Sequence, residues 1–178
     1  MTTLQELLSS NESVGVWTLD PDRSSIGFKA KGMWGLASVK GRYSDFSGDG
    51  QITNSTTVFG RIDIKAASVD TKIRKRNDHL RSADFFEVEK YPDISMVVTG
   101  AEGVSGDTVN LQADLTIKGT TKSVPVQAKV AVLADGAVRL IAQSDINRND
   151  FGVDGNLMGS IADTTQITAD VVFRRTGV

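Results

Sequence analysis

The 178 residues include no cysteine, one histidine and three prolines. Without thiols the chain cannot form disulfides, thiolate zinc sites, iron–sulfur clusters or a cysteine nucleophile. The lone histidine excludes histidine-rich metal sites and leaves His79 as the single candidate base for a Ser-His-Asp triad. No apolar run approaches the ~18 residues of a membrane-spanning helix, so no stable membrane insertion is expected. Basic excess is also missing: the net charge of -2 disfavours nucleic acid as a partner. The opening, MTTLQELLSSNESVGV, lacks the basic start, apolar centre and small-residue cleavage site of a secretory signal. Read as written, the chain is expected to stay in the cytoplasm. What remains, 39% hydrophobic and 24% charged residues, describes one ordinary globular domain.

The dominant pattern has period two. Val109, Leu111, Ala113, Leu115 and Ile117 alternate with polar residues, then Val124, Val126, Ala128, Val130 and Val132. After Asp135-Gly136 follow Val138, Leu140, Ala142, Ser144 and Ile146. Asp-Gly between alternating runs is a strong hairpin signal, so three consecutive antiparallel strands are expected. A final strand places Ile167, Ala169, Val171 and Phe173 on one face. The first half adds Trp17 and Leu19, then Ile26, Phe28 and Ala30, a long stretch from Val39 to Ile52, and Val58, Ile62 and Ile64, with another strand from Ser95 to Thr99. About eight alternating strands over 15–178 imply an all-β fold, an antiparallel barrel or a sandwich. Gly32, Gly35, Gly41, Gly48 and Gly50 are read as bends or bulges where strands curl. Two segments depart from period two. Leu4, Leu7 and Leu8 suggest a short helix in an extension over 1–14, and Ile73, Leu80 and Ala83 suggest a helix between Asp70 and Glu87.

An eight-stranded barrel is wide enough to be filled by its own side chains or to hold one small ligand. The small inward residues Ala30, Ala113, Ala128, Ala142 and Ala169 are compatible with a cavity, or with alanines packed under Phe28 and Phe173. The candidate cavity lining is Trp17, Leu19, Ile26, Phe28, Ala30, Met33, Trp34, Ile62, Ile64, Leu111, Ala113, Leu115, Val126, Ala128, Val130, Leu140, Ala142, Ala169 and Val171. Strands of about 12 residues give about 30 Å of barrel height at ~40° tilt, a length that suits a linear chain. No G-x-S-x-G, G-x-G-x-x-G or Walker motif is present, and no cofactor is expected. Asp145, Asn147 and Asn149 imitate the start of a calcium loop, but Asp150 and Asn156 stand where glycine and glutamate are needed. Lys72 to Arg76 reads as a solvated basic face or a weak anionic head-group site.

Four stretches resemble the YceI-like family of bacterial lipid-binding proteins, whose fold is an extended lipocalin-like barrel. They are Trp17–Pro21 with Ser25–Phe28, His79–Pro92, Leu115–Lys122 and Asn147–Gly152. The resemblance implies non-catalytic binding, storage or transport of a long isoprenoid or quinone-like lipid inside the barrel. It also implies frequent export, and this chain departs from many members by having Arg23 and Lys31-Gly32-Met33-Trp34 where histidines are common. Met33 and Trp34 would form an apolar lip. The competing reading is a lipid-acting hydrolase or isomerase using His79 with Asp84. A third is an interaction module whose apolar mouth docks a membrane or a protein, and a homodimer is left open.

Overall fold

The computed structural model describes residues 4–32, 38–53, 57–155 and 161–177. After a short helix α1 (Leu4–Ser9), the chain runs through β1 (Gly15–Gly32), β2 (Ser38–Tyr43), β3 (Phe46–Ile52), β4 (Val58–Lys65) and β5 (Val69–Asp70). Helix α2 (Arg74–Arg81) interrupts the strands. They resume as β6 (Asp93–Ser105), β7 (Thr108–Ile117), β8 (Thr120–Val132), β9 (Val138–Asn147) and β10 (Ile161–Gly177). Every pairing is antiparallel, and β10 returns to pair with β1, which closes the sheet. Ten strands reduce to eight positions around the barrel. β3 pairs with the first part of β1 and β2 with its last part, while β4 and β5 continue one another alongside them.

The alternating sequence dictates these strands because each must turn one face inward and one toward water. Two turns fix the register of the 108–147 hairpins. Lys118 and Gly119 both have positive φ, 51° and 75°, the backbone that a two-residue hairpin matching strand twist requires. At the next turn Gly136 has φ 85° and Asp135 accepts the Ala137 N–H through its side chain at 3.1 Å.

One feature of β1 explains why its apolar residues change from odd to even positions between Leu19 and Ile26. Asp20 pairs with Val172 and Ser25 with Asp170, so the chain bulges out between them. The bulge is held locally. The Asp22 N–H and the Arg23 Nε both donate to the Asp20 carboxylate, and the Val172 N–H, on the opposite strand, donates to Ser24 Oγ at 2.9 Å. The Arg23 guanidinium holds the half-buried Asp20 carboxyl below its usual range.

Several expectations change. The helix between Asp70 and Glu87 shrinks to eight residues, because Lys72 has φ 66° just before it and Ser82 returns to extended backbone just after it. Leu80 faces inward, but Ile73 is half exposed at the helix start and Ala83 is exposed beyond its end. Gly41, Gly48 and Gly50 are not bulges: they sit in unbroken register, with Gly41 opposite Phe28 and a would-be Cβ there colliding with the Phe28 ring. Gly35, Met33 and Trp34 lie outside the described residues. No described helix is long and apolar enough to cross a membrane.

The motif-bearing segments converge at one end of the barrel. Lys118 Nζ donates to Ala83 O at 2.9 Å and to Gly152 O at 3.2 Å, joining the turns after α2 and after β9. Tyr91 lies over Gly119, and Gly155 is pressed against the Asp84 carbonyl. Arg148, 7% exposed, anchors the 148–155 turn by donating to Val153 O and Gly155 O and, across to β10, to Ala162 O. Asn147 and Asn149, which imitated calcium ligands, cap this turn instead: the Asn149 N–H donates to Asn147 Oδ1 at 3.0 Å. Replacing the guanidinium by an apolar chain would leave one buried and two part-buried carbonyls without their charged donor. Arg148→Met is expected to cost about 2–4 kcal/mol, read from urea unfolding.

Candidate functional site: the barrel interior

A packed barrel is most buried at its centre, and this one is the reverse along β9. The inward residues Val138 and Ile146, near its ends, are buried, whereas Leu140, Ala142 and Ser144 between them are only partly so. The same holds for Phe28, Ile62, Met96, Leu111, Ile167 and Ala169, all apolar and partly accessible against the core. Inward side chains reachable from inside the barrel mean that the interior is not filled by side chains.

The open space forms two chambers. The helix-end chamber, about 110 Å³, lies under α2 and the turn after it, bordered by Leu80, Phe85, Phe86, Tyr43, Ile94 and Ile146 among others. The second, about 180 Å³, lies at the α1 end. There Leu7 and Trp17 pack with Val109, Ala128, Val130 and Val138, and Trp17 Nε1 donates to Ser13 O at 2.9 Å, which ties the α1 turn to the wall. The larger chamber exceeds the ~150 Å³ of apolar cavities known to stay dry and to accept benzene. Ile62, Met96 and Ala169 border both chambers and form the waist between them.

Of the lining inferred from sequence, Ile26, Phe28, Ala30, Ile64 and Leu115 border the helix-end chamber. Trp17, Leu111, Ala113, Val126, Ala128, Val130, Leu140, Ala142 and Val171 border the other. Leu19 borders neither; it is buried against Gly48. Ala113 and Ala128 have no exposed surface, so they are packed into the wall, whereas Ala142 and Ala169 remain partly open. The width that sequence reading assigned to alanines comes in part from glycines. Gly50 and Gly60 are cross-strand partners on the inner side of the α1-end chamber, and a Cβ on Gly60 would meet nothing closer than Val98 at 3.8 Å. The alternation Val58, Gly60, Ile62, Ile64 carried that signal, as Val39, Gly41, Tyr43 carried the place of Tyr43.

Of the charged residues described, Arg148 borders the helix-end chamber and Arg61 the other; pairs on the outer surface tie up several more. Arg139 Nε meets the Asp170 carboxylate at 2.8 Å, and Arg61 meets Asp63 with Ser95 donating to the same carboxylate. The guanidinium in each pair holds the carboxyl below its usual range. These exposed pairs contribute little to stability.

His79 and Asp84 do meet: His79 Nε2 lies 2.8 Å from Asp84 Oδ2, with the imidazole edge-on to Phe85. Neither residue borders a chamber. The Ser82 hydroxyl donates to the His79 carbonyl and the Ser95 hydroxyl to Asp63, so neither hydroxyl donates to the imidazole. The pair therefore fastens the turn that holds Phe85 over the helix-end chamber.

Comparison with known proteins agrees with this geometry. A YceI-like domain family model matches residues 17–173. A UPF0312 protein of Pseudomonas putida strain KT2440 is 32% identical over 130 residues, 68% of this chain and 67% of that protein. Protein YceI of Escherichia coli O157:H7 is also 32% identical over 130 residues, 69% of this chain and 68% of that protein. Among solved structures, BcnA of Burkholderia cenocepacia superposes with a TM-score of 0.79 at 24% identity, covering 86% of this chain and 98% of that one. A domain from Saccharophagus degradans, described as polyisoprenoid binding and implicated in plant cell wall breakdown, has a TM-score of 0.71 at 20% identity, covering 90% and 98%. At those identities the two structures speak to the fold. With the family model spanning nearly the whole barrel, this chain belongs to the YceI-like domain family.

Proposed function

We propose that the protein binds, stores or carries a long apolar chain, an isoprenoid or quinone-like lipid, inside the barrel without transforming it. The observation that carries this reading is the open apolar interior: along β9 the inward side chains at the centre are more accessible than those near its ends, and Phe28, Ile62, Met96, Leu111, Ile167 and Ala169 on other strands are also partly accessible. Apolar surface held open costs free energy that an apolar ligand recovers. Two chambers that lie toward opposite ends of the barrel and share Ile62, Met96 and Ala169 in their linings fit an extended chain better than a compact ligand. The description of the Saccharophagus degradans domain as polyisoprenoid binding supports the same class. Native mass spectrometry of protein purified without detergent is expected to show an apolar adduct, and repeated absence of one would overturn the reading.

The glycine-bare wall supplies a sharper check. Gly60→Leu would project its side chain into the α1-end chamber from a position with room for Cβ. The adduct is expected to fall strongly in occupancy while apo stability stays within about 1 kcal/mol. A solidly packed barrel would instead lose about 1–3 kcal/mol to overpacking.

A catalytic reading has one observation in its favour, the His79–Asp84 contact. Under the binding reading, His79→Ala retains the adduct and leaves any background hydrolysis of a long-chain nitrophenyl ester unchanged. A general base would lose its contribution of about 10²–10⁴-fold.

A further inference from the structure

Tyr43 is out of place in the helix-end chamber. It sits on the inner side of β2, 8% exposed, with its ring between Phe28 at 5.9 Å and Phe86 at 6.3 Å, centroid to centroid. Ring packing would be served equally by phenylalanine, which needs no partner for a hydroxyl. The Tyr43 hydroxyl makes no hydrogen bond to any described residue. Burial pushes the pKa of the phenol well above the ordinary tyrosine range, so the hydroxyl stays neutral and keeps its hydrogen, and the oxygen is removed from bulk water. Among the described residues no side-chain oxygen or nitrogen is both sealed off and unpartnered. The hydroxyl of so buried a residue therefore borders open space, and the open space that Tyr43 lines is the chamber.

Among the described residues the other polar side chains bordering that chamber are Thr165 and Arg148. Among the described residues Arg148 is the only cation there, and its guanidinium is directed at the carbonyls of Val153, Gly155 and Ala162. A phosphate or diphosphate in this space would be a buried anion without a cation of its own. An uncharged oxygen needs only a donor, and an unpaired phenol is one.

We propose that Tyr43 anchors the polar end of the bound lipid, donating its hydroxyl hydrogen to an uncharged carbonyl, hydroxyl or ether oxygen seated in the helix-end chamber. The apolar chain then runs past the waist toward α1. This rests on the lipid-binding reading and narrows it to neutral-headed amphiphiles.

Tyr43→Phe tests it, because the ring and its packing stay while the donor goes. Intrinsic tryptophan fluorescence titrations would compare geranylgeraniol, its diphosphate and the matching hydrocarbon without oxygen, with thermal melts of the apo protein alongside. The wild type is expected to bind the alcohol more tightly than the diphosphate. The variant should lose about tenfold in affinity for the alcohol and nothing for the hydrocarbon. Its apo melting temperature should hold or rise, since an unpaired buried hydroxyl has been removed. Equal losses for alcohol and hydrocarbon would make Tyr43 a packing residue and overturn the inference. So would an unchanged affinity for the alcohol, with the lipid reading intact because both ligands bind. If neither alcohol nor hydrocarbon binds the wild type, the inference and the lipid reading fall together.

Discussion

The pairing of β1 with β10 is the constraint on which everything else depends. Without it β1 and β10 would each offer an unpaired edge, and the inner faces would open to water. With it, a sheet of alternating residues becomes a tube whose inside is apolar by construction. The bulge between Asp20 and Ser25 lets β1 keep apolar residues inward along its full length while Ser24 reaches the Val172 N–H on the closing strand.

The barrel's two ends are closed differently. At the α1 end Leu7 packs with a tryptophan whose indole is fastened to the Ser13 carbonyl. At the α2 end segments far apart in sequence meet, held by the Lys118 ammonium, the caged Arg148 guanidinium and the His79–Asp84 contact. Polar groups do the fastening there while Leu80, Phe85 and Phe86 face the chamber, so the closure combines a hydrogen-bonded exterior with an apolar interior surface.

The hairpins from 108 to 147 were legible in the sequence because their information is local: period-two runs and turn residues such as Lys118-Gly119 and Asp135-Gly136 decide them within a few residues. The inward faces were legible for the same reason, since parity decides which residues a strand turns inward. What parity cannot convey is what stands across the barrel. Ala113 and Ala128 read like Ala142 and Ala169, yet the first two are covered and the second two are open. Gly41, Gly48 and Gly50 suggested bends, but they answer to the Phe28 ring, to Leu19 and to the chamber, contacts that long-range packing alone creates. The length of α2 turned on the left-handed backbone of one residue, Lys72, which its residue type does not announce.

Closure also sets the order in which the molecule can assemble. The hairpins joining β6 to β9 need only neighbours in the chain, whereas Trp17 must find Arg175 and Phe28 must find Ile167, partners from opposite ends of the sequence. Ends so far apart meet at a high entropic cost, so the seam between β1 and β10 closes late. Until it does, the future lining is solvent-facing on an open sheet with two free edges. An apolar chain arriving in that interval would be enclosed as the seam zips, making folding itself a route of loading.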